Sequence, residues 1–260
     1  MTKSLTLAQS VQDAISNDIL TGRLAPAAWL RLATLQESYG VGLSPLREAM
    51  ANLVGRGLVI QEGQRGFRIA PVTKADLEDL TETRCHIEGL ALRLAIAAGD
   101  TEWEANILAA QHRLLRKPRS PDRLIDEEWE ELHRAFHLAL VEACGSARLL
   151  GFWHQLYDQF DRYRRLAVNA SGHHPSLPAL HERLVETVLA RDAVAAIDVL
   201  ERHVHSSADQ VHMMMASRWA EGEPARVTWR RAAVRASSTG GEQEPKTAGR
   251  KARPRSAPGA

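Results

Sequence analysis

The chain has 260 residues, of which 44% are hydrophobic, 25% charged and 5% aromatic, and its formal net charge is +1. This length and apolar content suit one large domain or two ordinary ones, with a core that needs no covalent staples. Two cysteines, Cys85 and Cys144, exclude a disulfide framework. The lack of a membrane-length apolar run, or of a secretory leader at Met1 to Val11, points to a reducing, cytoplasmic address.

The near-zero charge conceals a division along the chain. Residues 1–70 carry seven Lys/Arg against five Asp/Glu, residues 71–221 seventeen against twenty-four, and residues 222–260 nine against three. A polyanion meets favourable charge at the two ends only. That excludes a wholly basic nucleic-acid coat and permits a small DNA reader attached to an acidic body.

From Leu5 to Leu24, Leu7, Val11, Ile15, Ile19 and Leu20 recur every three or four residues, the period of one helix face, and Gly22 ends the run. A short helix over Leu32 to Tyr39 and a turn at Gly40-Val41-Gly42 come next. Ser44 offers a side-chain cap with Pro45 in the first helical position, so a third helix is predicted there, burying Leu46, Ala49, Met50 and Leu53. Past Gly55 and Gly57, Leu58 to Gln61 and Phe67 to Ala70 read as strands of a hairpin around Glu62-Gly63-Gln64-Arg65-Gly66. Three helices and a hairpin make a winged helix-turn-helix over residues 1–72.

Pro71 to Lys74 reads as a boundary, with Thr73 capping the helix that begins there. Residues 73–220 are predicted all-helical, with helices at about 74–98, 102–116, 122–144, 147–167, 177–190 and 192–217, and a capping box at Thr101 and Glu104. Six helices of this length need one another's apolar faces, which predicts a bundle of six to seven helices. Residues 221–260, rich in Ser, Thr, Gly, Pro, Arg and Lys, read as a disordered basic tail. The fold class is therefore mainly α.

A helix-turn-helix works by seating its second helix in the major groove while the scaffold grips phosphate. Arg47 lies in the first turn, off the apolar stripe, where its guanidinium reaches a guanine edge or a phosphate. Ser44 is a candidate phosphate contact. In the wing, Gly66 allows close backbone approach and Arg65 supplies charge for the minor groove. The bland alternative pairs Arg47 with a neighbouring carboxylate and makes these seventy residues a protein-binding module.

Gly22-Arg23-Leu24-Ala25-Pro26, Gly40-Val41-Gly42-Leu43-Ser44-Pro45-Leu46-Arg47-Glu48-Ala49 and Gly57-Leu58-Val59, in that order, resemble the operator-reading domain of the GntR superfamily of bacterial transcription regulators. Leu43 and Ala33 stand where that family usually carries Arg.

In the helical half, His133 and His137 are four apart, so both rings leave one helix face. His181 and His203 sit on two later helices. Converging neutral imidazoles form a nitrogen-rich site for zinc or another borderline divalent ion. The alternative is a surface or hydrogen-bonded pair in a chain with eleven histidines. The acidic helical region is similar to the FCD effector domain of the FadR branch, in which an acidic residue and three histidines hold a metal beside the ligand pocket. His137, His181 and His203 match the three histidines, and His133 stands where Asp is usual. The resemblance thus implies a divalent metal, zinc or nickel.

Arg84 and Glu88 are four apart, and Asp161-Arg162-Tyr163-Arg164-Arg165 is densely basic. Guanidinium forks bind carboxylates in two-toothed fashion, so Arg84 with Arg164 can clamp a small organic acid above the metal. The alternative is an Arg84–Glu88 surface pair and a solvated basic face, the reading preferred for Arg162 and Arg165. Trp129, Phe136, Trp153 and Tyr157 read as core or pocket wall, and Cys85 and Cys144 as inert packing residues.

His133-Arg134-Ala135-Phe136-His137, Ala143-Cys144-Gly145-Ser146 and Phe160-Asp161-Arg162-Tyr163-Arg164 further resemble the carbon-starvation-induced regulator group. That likeness implies a repressor relieved by a five-carbon dicarboxylate such as glutarate. Two copies are expected to pair as a homodimer on the half-sites of a near-palindromic double-stranded operator, with a nucleoid-associated address. The rival class is a metal-dependent hydrolase using the histidine cluster. Against it, His133 lacks the adjacent Glu that a helix-borne metalloprotease uses as general base, and the chain has no glycine-rich phosphate loop or serine elbow.

Overall fold

A computed structural model describes residues 6–117, 125–171 and 178–221. The basic tail and the break at Pro118 to Pro121 fall outside the described residues.

Helix α1 spans Leu7–Leu20, shorter than the apolar spacing suggests, because Thr6 caps its start in a reciprocal box with Gln9. Its end is closed at Thr21, and Gly22 then adopts a left-handed φ of +74°. Val11, Ile15 and Ile19 are fully buried, each contributing roughly 1.5–3 kcal/mol of hydrophobic stabilisation. Helix α2 spans Leu32–Tyr39 and ends on Gly40 in the left-handed region. Tyr39 Oη donates to Asp18 Oδ2 over 2.6 Å, tying α2 to α1.

Helix α3 is Leu43–Gly55, with Gly42 as its cap residue and no side-chain cap bond. The expected capping role of Ser44 is therefore corrected: Ser44 lies inside the first turn. Pro45 sits there too, where the backbone N–H has no intrahelical partner and its loss costs little. Leu46, Ala49, Met50 and Leu53 face inward as expected.

The wing contains one strand more than the predicted hairpin. Strand β1, Trp29–Leu30, joins β2 (Val59–Gln61) and β3 (Phe67–Ile69) in an antiparallel sheet ordered β1-β3-β2. The residues between β2 and β3 form a short 3₁₀ turn over Gly63–Arg65, closed by Glu62 N–H donating to Gly66 O over 2.9 Å.

Beyond the wing the described residues are helical: α4 Lys74–Ala98, α5 Thr101–Arg116, α6 Glu127–Val141, α7 Ala147–Ser171, α8 Pro178–Leu189 and α9 Ala193–Glu221. Thr73 caps α4 as predicted, its side chain accepting from Asp76 N–H. The cap of α5 is Asp100 rather than Thr101, which corrects the expected box. Asp100 Oδ1 accepts from Trp103 N–H and holds the start of the helix in place. Helix α7 runs past residue 167 to Ser171, through a stretch read as a break. Among the described residues no helix is long and apolar enough to cross a membrane.

Two separate apolar cores result. One, from Val11 to Ile69, fills the winged helix, and another, from Cys85 to Val204, fills the bundle. A third cluster, including Leu77, Phe160, Tyr163 and Val211, joins α4, α7 and α9. Helix α7 thereby lies against the bundle on one side and the winged helix on the other.

Candidate effector and metal site

The outer face of α3 presents Leu43, Ser44 and Arg47, all exposed. Arg65 is exposed at the wing tip beside Gly66, whose φ of +100° is open to glycine and strained for other residues. Among the described residues no ion pair involves Arg47, so its charge is not consumed by the neighbouring carboxylate that the bland reading supposed. Arg68, by contrast, pairs with Glu62 over 2.5 Å and is not available to a phosphate on the same terms.

In the bundle, α6 supplies His133 and His137 from one face, α8 supplies His181 and α9 supplies His203. All four are buried, and a ligand nitrogen from each lies within 4.8 Å of the others. Nε2 of His133 and Nε2 of His137 are 3.2 Å apart. The His137 and His203 rings stack at 5.0 Å, and those of His181 and His203 lie 4.6 Å apart. The four imidazoles that the sequence separates by seventy residues thus share one point.

Burial holds His133, His137 and His203 well below the ordinary imidazole range, and the neighbouring histidines and Arg84 or Arg164 lower them further. They are therefore neutral at pH 7, the form that ligates metal. Nδ1 of His203 is buried with no hydrogen-bond partner among the described residues. A buried orphan of this kind costs free energy unless something fills its lone pair or takes its proton. Donor type, protonation and spacing together fit a nitrogen ligand set for a borderline divalent ion such as zinc or nickel.

His133 is fixed further by Tyr157, whose Oη lies 2.9 Å from His133 Nδ1, and by Trp129, which stacks on its ring at 4.7 Å. Neither partner was assigned to the histidines by sequence reasoning, which placed these aromatics only in the core or wall. Phe136, Trp153 and Tyr157 are indeed buried. Cys85 and Cys144 are buried too, and burial pushes the Cys85 thiol up to about 12, which makes it inert at neutral pH.

A small cavity of about 20 Å³, room for about one water, lies beside the histidines, lined by Arg84, Tyr157, Phe160, Asp161, Arg164 and Ser207 among others. Both expected clamp arginines reach it, and both arrive already paired. Arg84 donates to Glu88 Oε1 from Nε (2.9 Å) and Nη2 (2.7 Å), and its guanidinium rests 4.3 Å over the Phe160 ring. The Arg84–Glu88 pair exists but is buried, not on the surface.

Arg164 donates to Glu130, with Nη1 3.2 Å from Oε1, and also to Asp161. Burial opposes its charge, but Glu130 and Asp161 outweigh burial and raise its pKa further. Burial likewise pushes the Asp161 carboxyl up, and Arg164 and Arg165 more than reverse this, leaving it below the usual carboxylate range.

The solvated basic face expected for Arg162 and Arg165 is corrected by the structure. Both are buried: Arg165 pairs with Asp161 (2.6 Å) and Glu127 (2.8 Å), while Arg162 donates to Ala70 O. Burial lowers the Arg162 guanidinium to about 10. The spacing of Asp161 to Arg164 and Arg165, three and four residues, signalled two of these pairs; nothing local signalled Glu130.

Residues 7–69 match the family described as bacterial regulatory proteins, gntR family, and residues 79–206 match the FCD domain. An uncharacterized HTH-type transcriptional regulator, BphR, of Paraburkholderia xenovorans is 37% identical over 206 residues, covering 78% of this chain and 84% of that protein. The HTH-type transcriptional repressor GlaR of Escherichia coli is 35% identical over 208 residues, 78% of this chain and 94% of that protein. Among solved structures, McbR/YncC of E. coli shares the fold with a TM-score of 0.61 at 20% identity, over 84% of this chain and all of that one. These relatives give no support to the hydrolase alternative. The chain belongs to the GntR family of bacterial regulatory proteins, in its FadR-like branch with an FCD domain, and is a DNA-binding transcriptional regulator, not an enzyme.

Proposed function

We propose that the chain is a cytoplasmic, homodimeric repressor released from its operator by a small carboxylic acid bound in the helical domain. Two α3 helices enter successive major grooves of a near-palindromic site, with Arg47 at a base edge or phosphate and Ser44 on the backbone. Arg65 and Gly66 of the wing track the minor groove. His133, His137, His181 and His203 hold a divalent metal, zinc or nickel, which when bound supplies a positive centre for an anionic ligand.

The carrying observation is the convergence of four buried imidazoles, three of which, His133, His137 and His203, line a cavity that Arg84 and Arg164 also line. The cavity holds about one water as it stands, so an incoming acid widens it, and each arginine engages a carboxylate by exchanging its internal partner, Glu88 or Glu130, for the ligand. A dicarboxylate of about five carbons, glutarate being the case implied by the sequence resemblance, has two ends to satisfy two guanidinium forks. Release requires that the acid bind the two reader arrangements unequally, since equal affinity shifts nothing.

The test combines metal analysis with DNA binding. Purified wild type is expected to carry about one divalent ion per chain and His137→Ala far less; equal content in both removes the metal site. Glutarate is expected to raise the melting temperature of the metal-loaded protein and weaken its hold on a duplex selected from a random pool. No shift in either measurement removes glutarate as effector.

A further inference from the structure

The face of α7 opposite the cavity is seated on the winged helix. Asp158, Gln159, Arg162, Leu166 and Asn169 recur at helical spacing, and each meets the DNA-reading half. Gln159 Nε2 donates to Arg56 O over 3.2 Å, Arg162 to Ala70 O, and Asn169 Nδ2 to Thr21 O over 3.0 Å. A Cβ on Gly22 would come within 2.9 Å of Leu166 Cδ2, and one on Gly57 within 2.2 Å of Gln159 Nε2, so the two surfaces approach at glycine distance.

Asp158 stands where this face begins. Its Oδ2 accepts from Arg56 Nε (2.8 Å) and Nη2 (2.7 Å), and Arg56 is the residue that closes α3. Its Oδ1 accepts from Arg134, the neighbour of His133 on α6. The carboxylate is buried, whereas Arg56 and Arg134 keep 28% and 33% of their side chains exposed. Arg134 lies 5.0 Å over the Tyr157 ring, and the Tyr157 hydroxyl is the group 2.9 Å from His133 Nδ1. Its other amino group faces His154 Nδ1 at 3.1 Å.

We propose that Asp158 is a positioning residue that transmits the state of the effector cavity to the reader helix, through the unbroken series His133, Tyr157, Arg134, Asp158 and Arg56. The inference rests on the proposed ligand site for the origin of the signal, and on hydrogen-bond and stacking geometry for its path. The one carboxylate holds a guanidinium on each oxygen, Arg56 on Oδ2 and Arg134 on Oδ1, so a rotation that follows one of them is felt by the other. When a ligand turns Tyr157 or His133, the ring beneath Arg134 moves, Arg134 shifts on Oδ1, and the carboxylate rotates against Arg56. The end of α3 is thereby released from or drawn toward α7, which changes how the reader helices are presented.

The test uses the full chain loaded with Zn²⁺, with glutarate as the probe. In wild type, glutarate is expected to weaken binding to the selected duplex at least tenfold. In Asp158→Asn the response falls to twofold or less, while Zn²⁺ and glutarate affinities measured calorimetrically stay within about threefold of wild type. A full response in Asp158→Asn overturns the proposal. If Asp158→Asn fails to melt cooperatively, Arg134→Gln, whose side chain is one-third exposed, carries the same expectation.

Should wild type fail to bind either Zn²⁺ or glutarate, the ligand reading fails and the linkage is judged without it. Arg56→Gln and Asp158→Asn are then combined, and their effects on duplex affinity compared. Coupling of fivefold or more supports the linkage, and independent effects that multiply overturn it.

Discussion

Replacing Glu130 by Gln tests whether the cavity arginine is held in place by its internal carboxylates. Glu130 and Arg164 are both almost fully buried, with side-chain exposures of 3% and 7%. Removing one partner from a buried ion pair costs about 3–5 kcal/mol when it strands the other. Arg164 is not wholly stranded here, because Asp161 still accepts from it and the Gln carbonyl keeps one acceptor, so the expected loss is about 2–3 kcal/mol.

At about 2–4 °C per kcal/mol for a chain of this size, the melting temperature should fall by about 4–12 °C. The same change removes one negative charge from a group in which Glu127, Glu130 and Asp161 face Arg164 and Arg165. An added carboxylate then meets a guanidinium with one competitor fewer, so glutarate should recover more stability in the variant than in wild type. Thermal melts with and without glutarate give both numbers. A loss under about 1 kcal/mol refutes the idea that Glu130 holds Arg164, and equal stabilisation of the two proteins refutes Arg164 as an effector contact.

Arg47→Ala should weaken duplex binding by about 1–3 kcal/mol per half-site, and by fluorescence anisotropy the salt slope drops by about one per subunit if the contact is a phosphate. Unchanged affinity removes the residue from the interface. Gly57→Ala places a Cβ in a left-handed conformation with φ +71° and drives Gln159 off Arg56 O. Strain of about 1–2 kcal/mol plus a lost hydrogen bond gives a deficit of about 2–3 kcal/mol in urea unfolding, and a neutral result contradicts the close approach of α7. In chelator-treated protein, stability should be full above about pH 6.5, where unfolded imidazole is neutral, and fall as pH drops below it. The unfolded chain takes up protons there that buried His133, His137 and His203 refuse. Each contributes up to about 1.4 kcal/mol per pH unit, so a flat profile between pH 7 and pH 5.5 in urea titrations refutes their burial as neutral groups.

Much of this architecture was legible because it is written in periodicity. Val11, Ile15 and Ile19 repeat on a helix face, and the runs from Lys74 to Ala98 and from Ala193 onward are too long and too regular to be strands. What escaped was set by contacts distant in sequence. Strand β1 is two residues long and exists because Trp29 and Leu30 find Arg68 and Phe67, a pairing no local pattern announces. Asp100 displaced Thr101 as a cap because Thr101 is already inside the helix, while Asp100, in extended backbone, accepts from Trp103 N–H.

The four histidines were found by spacing and resemblance, but the burial of their arginine neighbours was not. A basic run such as Arg162 to Arg165 looks solvated until Glu127, Glu130 and Ala70 arrive from other elements. Arg56 and Arg134 carried no signal at all, since the carboxylate they share lies 102 and 24 residues away from them.

The charge of the cavity decides what kind of effector it can take. Arg84 is neutralised by Glu88, and Arg164 faces two carboxylates, so the arginines alone offer an anion no uncompensated positive charge. Burial keeps His133, His137 and His203 neutral, and His133 holds the position where the resembled family carries Asp. On the proposed reading, the site with a divalent ion is therefore one unit more positive than its carboxylate-bearing counterpart, and without the ion it has nothing to attract an acid. Binding is then ordered, metal first and acid second. Calorimetry should show glutarate affinity in the metal-loaded protein falling by at least tenfold on chelation, with Zn²⁺ affinity rising by the same factor when glutarate is present, as linkage requires. Glutarate binding that ignores the chelator would mean that Arg84 and Arg164 release Glu88 and Glu130 unaided, and the metal would then have no part in drawing the acid in.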